Sequence, residues 1–393
     1  MTVAETRPLG QLLLRPPRYG INAAAVSQGL GIPTYIRITD IDESGRFAPD
    51  PRVGVSHPKS SDYRMRAGEL VFARTGASVG KSYLYDPRDG ELVYAGFLIN
   101  VAPDPMRLNP KYLSLFAQSK DYWDWIARTS VRSGQPGVNG REYAQLPVPV
   151  PDIAVQNAIA DAMADVDDFI SALERKIAKK EAIKQGMMQQ LLTGRTRLQG
   201  FGSSWSSEAL GDIAAVSMGQ SPLGSSYNTS GRGLPLVQGN ADIRNRRTIE
   251  RIWTTAPTKR CKVGDVVLTV RAPVGYAALA AHNACLGRGV CSISAGPDNR
   301  YLYHALVYAE PRWAGYEQGS TFTAVNSSEV RSFSVPWPAD PDERKAIGDV
   351  LDDVDTEMQL LGSRLTKARH VKAGMLQELL SGRMRLPVRG AVA

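Results

Sequence analysis

Residues 189–198 read QQLLTGRTRL, and residues 377–386 read QELLSGRMRL. One chain writes nearly the same ten residues twice, 188 positions apart. A catalytic residue is rarely needed twice; a structural element that must meet its own copy is. The match extends upstream. AIADAMADVDDFISALERKIAKKEAIKQGMMQQLLTGRTRL (158–198) lies without a gap over AIGDVLDDVDTEMQLLGSRLTKARHVKAGMLQELLSGRMRL (346–386). Before it, VNGREYAQLPVPVP (138–151) lies over VNSSEVRSFSVPWP (325–338) at an offset of 187. A looser echo pairs RAGELVFARTGASVG (66–80) with CKVGDVVLTVRAPVG (261–275). The chain is a tandem duplication of a unit with one globular and one helical part.

The helical part is the better determined. Ile159, Met163, Val166, Ile170, Leu173 and Ile177 are spaced 4, 3, 4, 3, 4. Ile347, Leu351, Val354, Met358, Leu361 and Leu365 repeat that spacing. This is the 3.5-residue seam of a coiled coil. Met187 and Leu191, and Met375 and Leu379, continue it. Between them stand Lys180 and Lys184, or Ala368 and Lys372, so packing there is expected to loosen or shift to Ile183 and Val371. Pro151 and Pro338 precede the helices, and Gly194 and Gly382 follow their last apolar residues, as stop signals would. Each helix is expected to run about 40 residues, about 60 Å.

A narrow seam cannot bury itself, and the natural partner is the other copy. Residues 152–171 carry five acids and no bases, whereas 172–198 carry two acids and seven bases. The second copy is graded likewise, from Asp349, Asp352, Asp353, Asp355 and Glu357 to Arg364, Lys367, Arg369, Lys372, Arg383 and Arg385. Each gradient complements its helix dipole. Packed antiparallel, each acidic start meets a basic end. The expected fold is therefore α+β: two mixed α/β domains joined by two long α-helices packed as an antiparallel coiled coil, with an internal pseudo-two-fold repeat.

Charge divides along the same lines. Residues 1–151 hold 18 Lys and Arg against 14 Asp and Glu, and residues 201–338 hold 13 against 9, so each block is +4. Residues 152–200 and 339–393 are neutral, at 7 against 7 and 9 against 9. The excess of +8 thus sits in two globular blocks, as two polyanion-binding modules would carry it. The apolar stretches fall far short of the roughly 18 residues that span a bilayer, and the first residues lack the apolar core of a secretion signal. Three cysteines make no disulfide framework. A cytoplasmic protein with no membrane partner is the expectation.

In the blocks, ELVFAR, LVYAGFLINV, DVVLTV and GVCSIS read as strands. PKYLSLFAQSKDYWDWIARTS and NRYLYHALVYAEPRWAGYEQ read as helices at matching places. The frame repeats while the loops differ, as in two readers of different ligands on one scaffold. Arg grips guanine edges, Gln and Asn grip adenine, and backbone N–H groups hold phosphates. Candidate DNA contacts are Arg37, Arg64, Arg66, Arg74, Lys81, Arg132 and Gln135 in the first block. In the second they are Arg232, Gln238, Asn240, Arg244, Arg246, Arg247 and Arg271. Arg46, Arg52, Lys59 and Arg251 share the same loops, and 133–141 and 319–329 form matching loops before the strand that leads to each helix.

With VPVPDIAVQNAIADAMADVDDFI, KQGMMQQLLTGRTRL and their second copies in view, the chain resembles the specificity subunit of type I restriction–modification enzymes. The resemblance covers essentially the whole chain and is strongest over 138–198 and 325–386. It implies target-recognition domains at 1–151 and 201–338 and spacer helices at 152–200 and 339–393. Each domain would read one half of a split, asymmetric site on double-stranded DNA. The helices would fix the half-site distance and dock two modification subunits, which bind S-adenosylmethionine and methylate adenine. Restriction subunits would complete an ATP-dependent nuclease. This chain itself would hold no cofactor; S-adenosylmethionine, Mg and ATP are expected only in partner subunits. The two helix approaches differ, VPVPDIAVQ against VPWPADPDER.

Enzyme readings fare poorly. TGASVGKS (75–82) has three residues, not four, between Gly76 and Gly80, and its second copy lacks the lysine, so a strand–turn edge is preferred to a phosphate loop. PDERK (341–345) has a nuclease-like look but sits at a helix start, where acids are favoured. ADVDD and LDDVD are better read as acidic first turns than as a metal site. His282, Cys285 and Cys291, with Cys261 nearby, match no zinc spacing. No adenine-methylase segment of the NPPY type and no S-adenosylmethionine loop is visible, so no catalytic or metal residue is assigned. The alternative to a DNA reader is a helical scaffold whose basic ends do not read sequence.

Overall fold

The computed structural model describes residues 5–132, 134–316 and 324–387. Two long helices, Ile153–Leu191 and Pro341–Leu380, carry most of the duplicated segments 158–198 and 346–386. The two decapeptides are their stop signals. Gly194 and Gly382 take φ of 69° and 70°, a left-handed turn that a side chain would oppose. Beyond each glycine the chain folds back, with Thr196 N donating to Gln190 O (3.1 Å) and Met384 N to Glu378 O (3.1 Å).

The described chain divides into two compact units, residues 1–172 with 364–393, and residues 173–363. Each takes the beginning of one long helix and the end of the other. In the first unit Ile159 and Met163 share a buried cluster with Leu376 and Leu379, and Lys372 meets Asp167. In the second, Met188, Leu191 and Leu192 share a cluster with Ile347 and Leu351. There Lys180 meets Glu357 (2.6 Å), and Lys184 meets Asp355. One number rises as its partner's falls, so within each unit the two helical segments run in opposite directions. The named seam positions are all buried or half-buried, Val166, Ile177, Val354, Met358 and Leu365 among the half-buried.

The seam does not shift where lysines interrupt it. Ile183 and Val371 remain 42% and 47% exposed, while Lys180, Lys184, Ala368 and Lys372 keep seam positions. The expected shift is corrected for an electrostatic reason. Long lysine stems cover apolar surface while their ammonium groups reach the facing acids.

The globular parts repeat strand for strand. In the first unit one sheet has the order Leu13–Tyr19, Leu98–Pro103, Leu70–Ala73, Ser82–Leu84. The second unit matches it with Ala215–Met218, Val290–Ser294, Val266–Thr269, Ala277–Leu279, and adds Arg247–Thr248 and Ile243–Arg244 at the edge. A second sheet runs Ala25–Ser27, Val53–Val55, Thr34–Ile36, Leu92–Tyr94, its last pair parallel. Its counterpart runs Tyr227–Asn228, Trp253–Thr254, Leu234–Val237, Ala284–Leu286, again with the last pair parallel, and ends on Arg260–Cys261. The duplication therefore persists in space where the sequences have diverged.

Two readings of local structure are corrected. LVYAGFLINV is not one strand; it breaks at Ala95–Phe97 into strands of different sheets, Leu98 N closing the turn on Ala95 O (2.8 Å). The helical stretch of the first block is two helices, Pro110–Phe116 and Lys120–Thr129, because Ser119 caps the second through Tyr122 N. Its counterpart is a helix, Asn299–Ala309, continued by a 3-10 segment, Glu310–Tyr316.

Candidate nucleic-acid interface

Each unit builds one surface from three backbone segments joined in the same way. In the first, Arg74 N donates to Phe97 O (3.0 Å), Val138 N to Arg74 O (2.9 Å), and Gly76 N to Pro136 O (3.0 Å). In the second, Val270 N donates to Gly289 O (2.9 Å) and Val325 N to Val270 O (3.0 Å), and Arg271 bridges to Ala324. Both third segments run into a capping box, Asn139 with Glu142 and Asn326 with Glu329. The repeated VN…E of the sequence is thus a helix start that anchors a loop.

A glycine sets the middle segment in each unit. Gly80 and Gly275 have φ of 90° and 82°. A Cβ would stand 2.9 Å from Trp123 Cζ3 at Gly80, and 2.1 Å from Trp313 Cδ1 at Gly275. The TGASVGKS stretch forms a 3-10 turn, Gly76–Ser78, before a strand, and Lys81 bonds Glu43 (2.7 Å).

The surface of the first unit brings together Arg74, Gln135 and Arg132. Arg74 lies 4.9 Å over the Tyr19 ring, and the Tyr19 hydroxyl accepts from Gly140 N (3.0 Å). Gln135 is exposed beside Gly76, and Arg132 bonds Glu142 and Thr129 O. Arg37 and Arg64 instead follow or bridge strands of the other sheet. Arg37 holds the buried Asp40 through Nε (3.0 Å) and Nη2 (2.7 Å), and Arg64 pairs with Glu91 (2.7 Å). Arg66 is exposed, and its backbone N caps onto Glu69 (3.2 Å).

In the second unit the same surface holds Arg271 and Gln238. Gln238 is half-buried and its backbone N donates to Asp242 (2.7 Å), a buried carboxylate in the place of Asp40. Asn240 is exposed at the start of that turn, and Arg232 Nε bonds Ser230 Oγ (3.2 Å) in a separate loop. Arg244, Arg246 and Arg247 form a hairpin whose tip residues, Asn245 and Arg246, both have positive φ. Arg246 is committed within the fold: it forks onto Glu310, donates to Ala277 O (3.0 Å) and stacks 4.6 Å over Tyr276. Arg244, Arg247 and Arg271 are exposed, with no side-chain partner among the described residues. Of the loop 319–329, residues 319–323 lie outside the described part.

Groups with an enzymatic look have structural places. Glu343 of PDERK is fully buried; Arg197 binds both its oxygens (2.5 and 2.7 Å) and Trp205 Nε1 approaches at 3.3 Å. Arg344 donates to Pro338 O (2.6 Å), and Gln156 makes the matching bond to Pro151 O (2.8 Å) in the first unit. Burial pushes the Cys261 thiol up to about 11 and the Cys291 thiol to about 12. Among the described residues no three His, Cys, Asp or Glu side chains gather as metal ligands, and no helix is long and apolar enough to cross a membrane.

Sequence reasoning passed over two residues of these surfaces. Phe97 lies in a run that reads as a strand, yet it is 57% exposed at the break. Arg288 stands alone between two glycines and is exposed in the corresponding turn. A glycine inside each apolar run was the available signal.

A repeated α/β unit, set on long helices and presenting loops of different chemistry, defines a two-part recognition protein. The chain belongs to the family of the type I restriction modification DNA specificity domain, whose model matches residues 49–185 and again 202–368. It is 28% identical over 306 residues to a putative type I restriction enzyme MjaX specificity subunit of Methanocaldococcus jannaschii, covering 74% of this chain and 71% of that one. The MjaIX specificity subunit of the same organism is 28% identical over 167 residues, 38% of each chain. In fold it is similar to the HsdS subunit of Thermoanaerobacter tengcongensis (21% identity, TM-score 0.50, 98% of each chain). It is also similar to the type I S subunit of M. genitalium (13%, TM-score 0.65, 96% of each). A chain of a solved type I R-M system gives 22% identity and a TM-score of 0.59 over 98% of this chain and 99% of that one. The protein is a DNA-specificity subunit of a type I restriction–modification system and not itself a catalyst; the scaffold reading is not favoured.

Proposed function

We propose that the blocks 1–151 and 201–338 each read one half of a bipartite, asymmetric site on double-stranded DNA, and that the helical regions 152–200 and 339–393 set the distance between halves. The observation that supports this reading is the repeated three-segment surface, in which both units share two backbone bonds and a bridge and differ in side chains. The same frame with different chemistry suits two different half-sites. Arg74, Gln135, Arg271 and Gln238 are the candidates best placed for base contacts; Arg37, Arg64 and Arg246 are engaged with acids of their own units.

The helices also offer a docking face. Phe169 and Ile183 on the first, and Leu360 and Val371 on the second, are exposed large apolar residues. Ile183 and Val371 occupy the same place in the duplicated segment. These two equivalent positions, one on each helix, fit two copies of one modification subunit, with S-adenosylmethionine, Mg and ATP held by modification and restriction subunits in the cytoplasm.

Base-resolution mapping of adenine methylation in the host, with and without this chain, tests the reading. One split motif should vanish on deletion, and exchanging residues 1–150 with those of a relative should change one half alone. An unchanged methylation pattern would refute it.

A further inference from the structure

The turn that enters the core strand of each unit carries one exposed side chain, and the two differ in kind. In the first unit it is Phe97; in the second it is Arg288. The two turns correspond, because Arg74 N bonds Phe97 O and Val270 N bonds Gly289 O; in this register Phe97 matches Gly289, and Arg288 stands one residue earlier on its turn. Leu98 and Val290, which follow them, are fully buried, so each turn is a short projection from a rigid strand.

Close backbone approach fixes the second turn. A Cβ on Gly289 would fall 2.1 Å from Gln238 O, and one on Gly287 would fall 3.0 Å from Gln238 Cγ. At 289 only glycine fits, and at 287 a side chain would crowd Gln238. Gly287 N donates to Val237 O (2.7 Å), Gln220 N to Leu286 O (2.9 Å), and Arg288 N to Ser221 Oγ (3.2 Å). The turn is thereby pressed against Gln238 and Ser221. The Arg288 guanidinium has no acid partner among the described residues. The first turn is held alike, since a Cβ on Gly20 would lie 2.1 Å from Ala95 O. There Phe97 is 57% exposed, and its carbonyl accepts from Arg74 N (3.0 Å).

An exposed phenylalanine on a rigid turn gains nothing in water, and a free guanidinium beside a glutamine is built to receive planar acceptors. We propose that Phe97 and Arg288, on corresponding turns of the two units, are specificity-determining residues, one for each half-site. Arg288 takes the O6 and N7 edge of a guanine, and Phe97 packs on the methyl group of a thymine. This rests on the DNA-reading function above and adds which side chains read, and which base each one reads.

The test is methylation mapping with the intact complex carrying Arg288→Ala or Phe97→Ala, with Arg288→Lys and Phe97→Leu as companions that keep charge or bulk. Arg288→Ala should cut discrimination at one guanine of one half-site by about tenfold or more, leaving the other half-site unchanged. Phe97→Ala should relax one thymine of the opposite half only. The companions should stay closer to the parent motif. Melting curves and complex size should match the parent's. Unchanged motifs in both alanine variants would overturn the inference while leaving the DNA-reading function intact. Equal weakening of both halves would also overturn it. A parent complex that methylates no split motif would overturn the underlying function and the inference with it.

Discussion

Lys180 Nζ lies 2.6 Å from a carboxylate oxygen of Glu357, and one turn further along Lys184 meets Asp355. Both lysines occupy positions where the heptad calls for an apolar residue. The 13% side-chain exposure of Lys184 makes its pair the drier one. Lys184→Leu alone strands Asp355, and is expected to cost about 1–2 kcal/mol after allowance for solvent. The double change Lys184→Leu with Asp355→Leu should recover that loss or exceed it. Urea unfolding of the four members of the cycle measures the coupling; additive effects would refute it.

Gly275 and Gly80 share a role but not a margin. Ala at 275 would set its Cβ against the buried Trp313 at positive φ, whereas at 80 the first obstacle is the partly exposed Trp123. Gly275→Ala should destabilise by more than about 2 kcal/mol, and Gly80→Ala by less than Gly275→Ala. Thermal melting orders the two.

Arg244 and Arg247 face each other across the hairpin, two exposed cations in register. Like charges directly opposite are unfavourable unless an anion lies between them. Replacing both by alanine should lower the slope of log affinity against log salt by about 2, at 0.9 per phosphate contact, and leave the methylated motif unchanged. Titrations at several salt concentrations supply the slope; an unchanged slope would remove the hairpin from the interface.

Ile183→Asp and Val371→Asp place a charge on exposed helix positions and should leave the melting temperature of the isolated chain nearly unchanged. Each should remove one modification subunit from the complex, and together they should remove both. Native mass measurement gives the count. Full assembly by the double variant would place the docking face elsewhere.

The thiols link stability to pH. Burial raises Cys261 to about 11 and Cys291 to about 12, against an ordinary value of 9.0. The folded state therefore binds these protons more tightly than the unfolded state. Their contribution is complete below pH 9 and is lost as pH rises from there through the folded values. Stability should fall between pH 9 and 11, less steeply when both are replaced by alanine. At pH 8 the buried thiols should resist a thiol reagent until the chain is unfolded.

How much was legible follows from how far apart the deciding groups lie. Heptad spacing and the glycine stops act within a few residues, so they could be read directly; the Asn–Glu capping boxes are as local, but their stretches read only as loops. Duplication let each copy check the other, and their like charge gradients called for antiparallel packing. The sequence could also mark basic loops, but not which bases were spoken for. Arg246 belongs to Glu310, 64 residues away, and Arg64 to Glu91 across the sheet.

The chain's own periodicity and repetition determined two copies of one unit, two long helices and their ends. The tertiary structure decided which charges cancel, why Lys180 and Lys184 stay in the seam, and why Phe97 and Arg288 stand in solvent on corresponding turns. A helical pattern records neighbours three and four residues apart. A guanidinium's freedom depends on carboxylates brought to it by strands from elsewhere in the chain, and that is settled only when the sheets close.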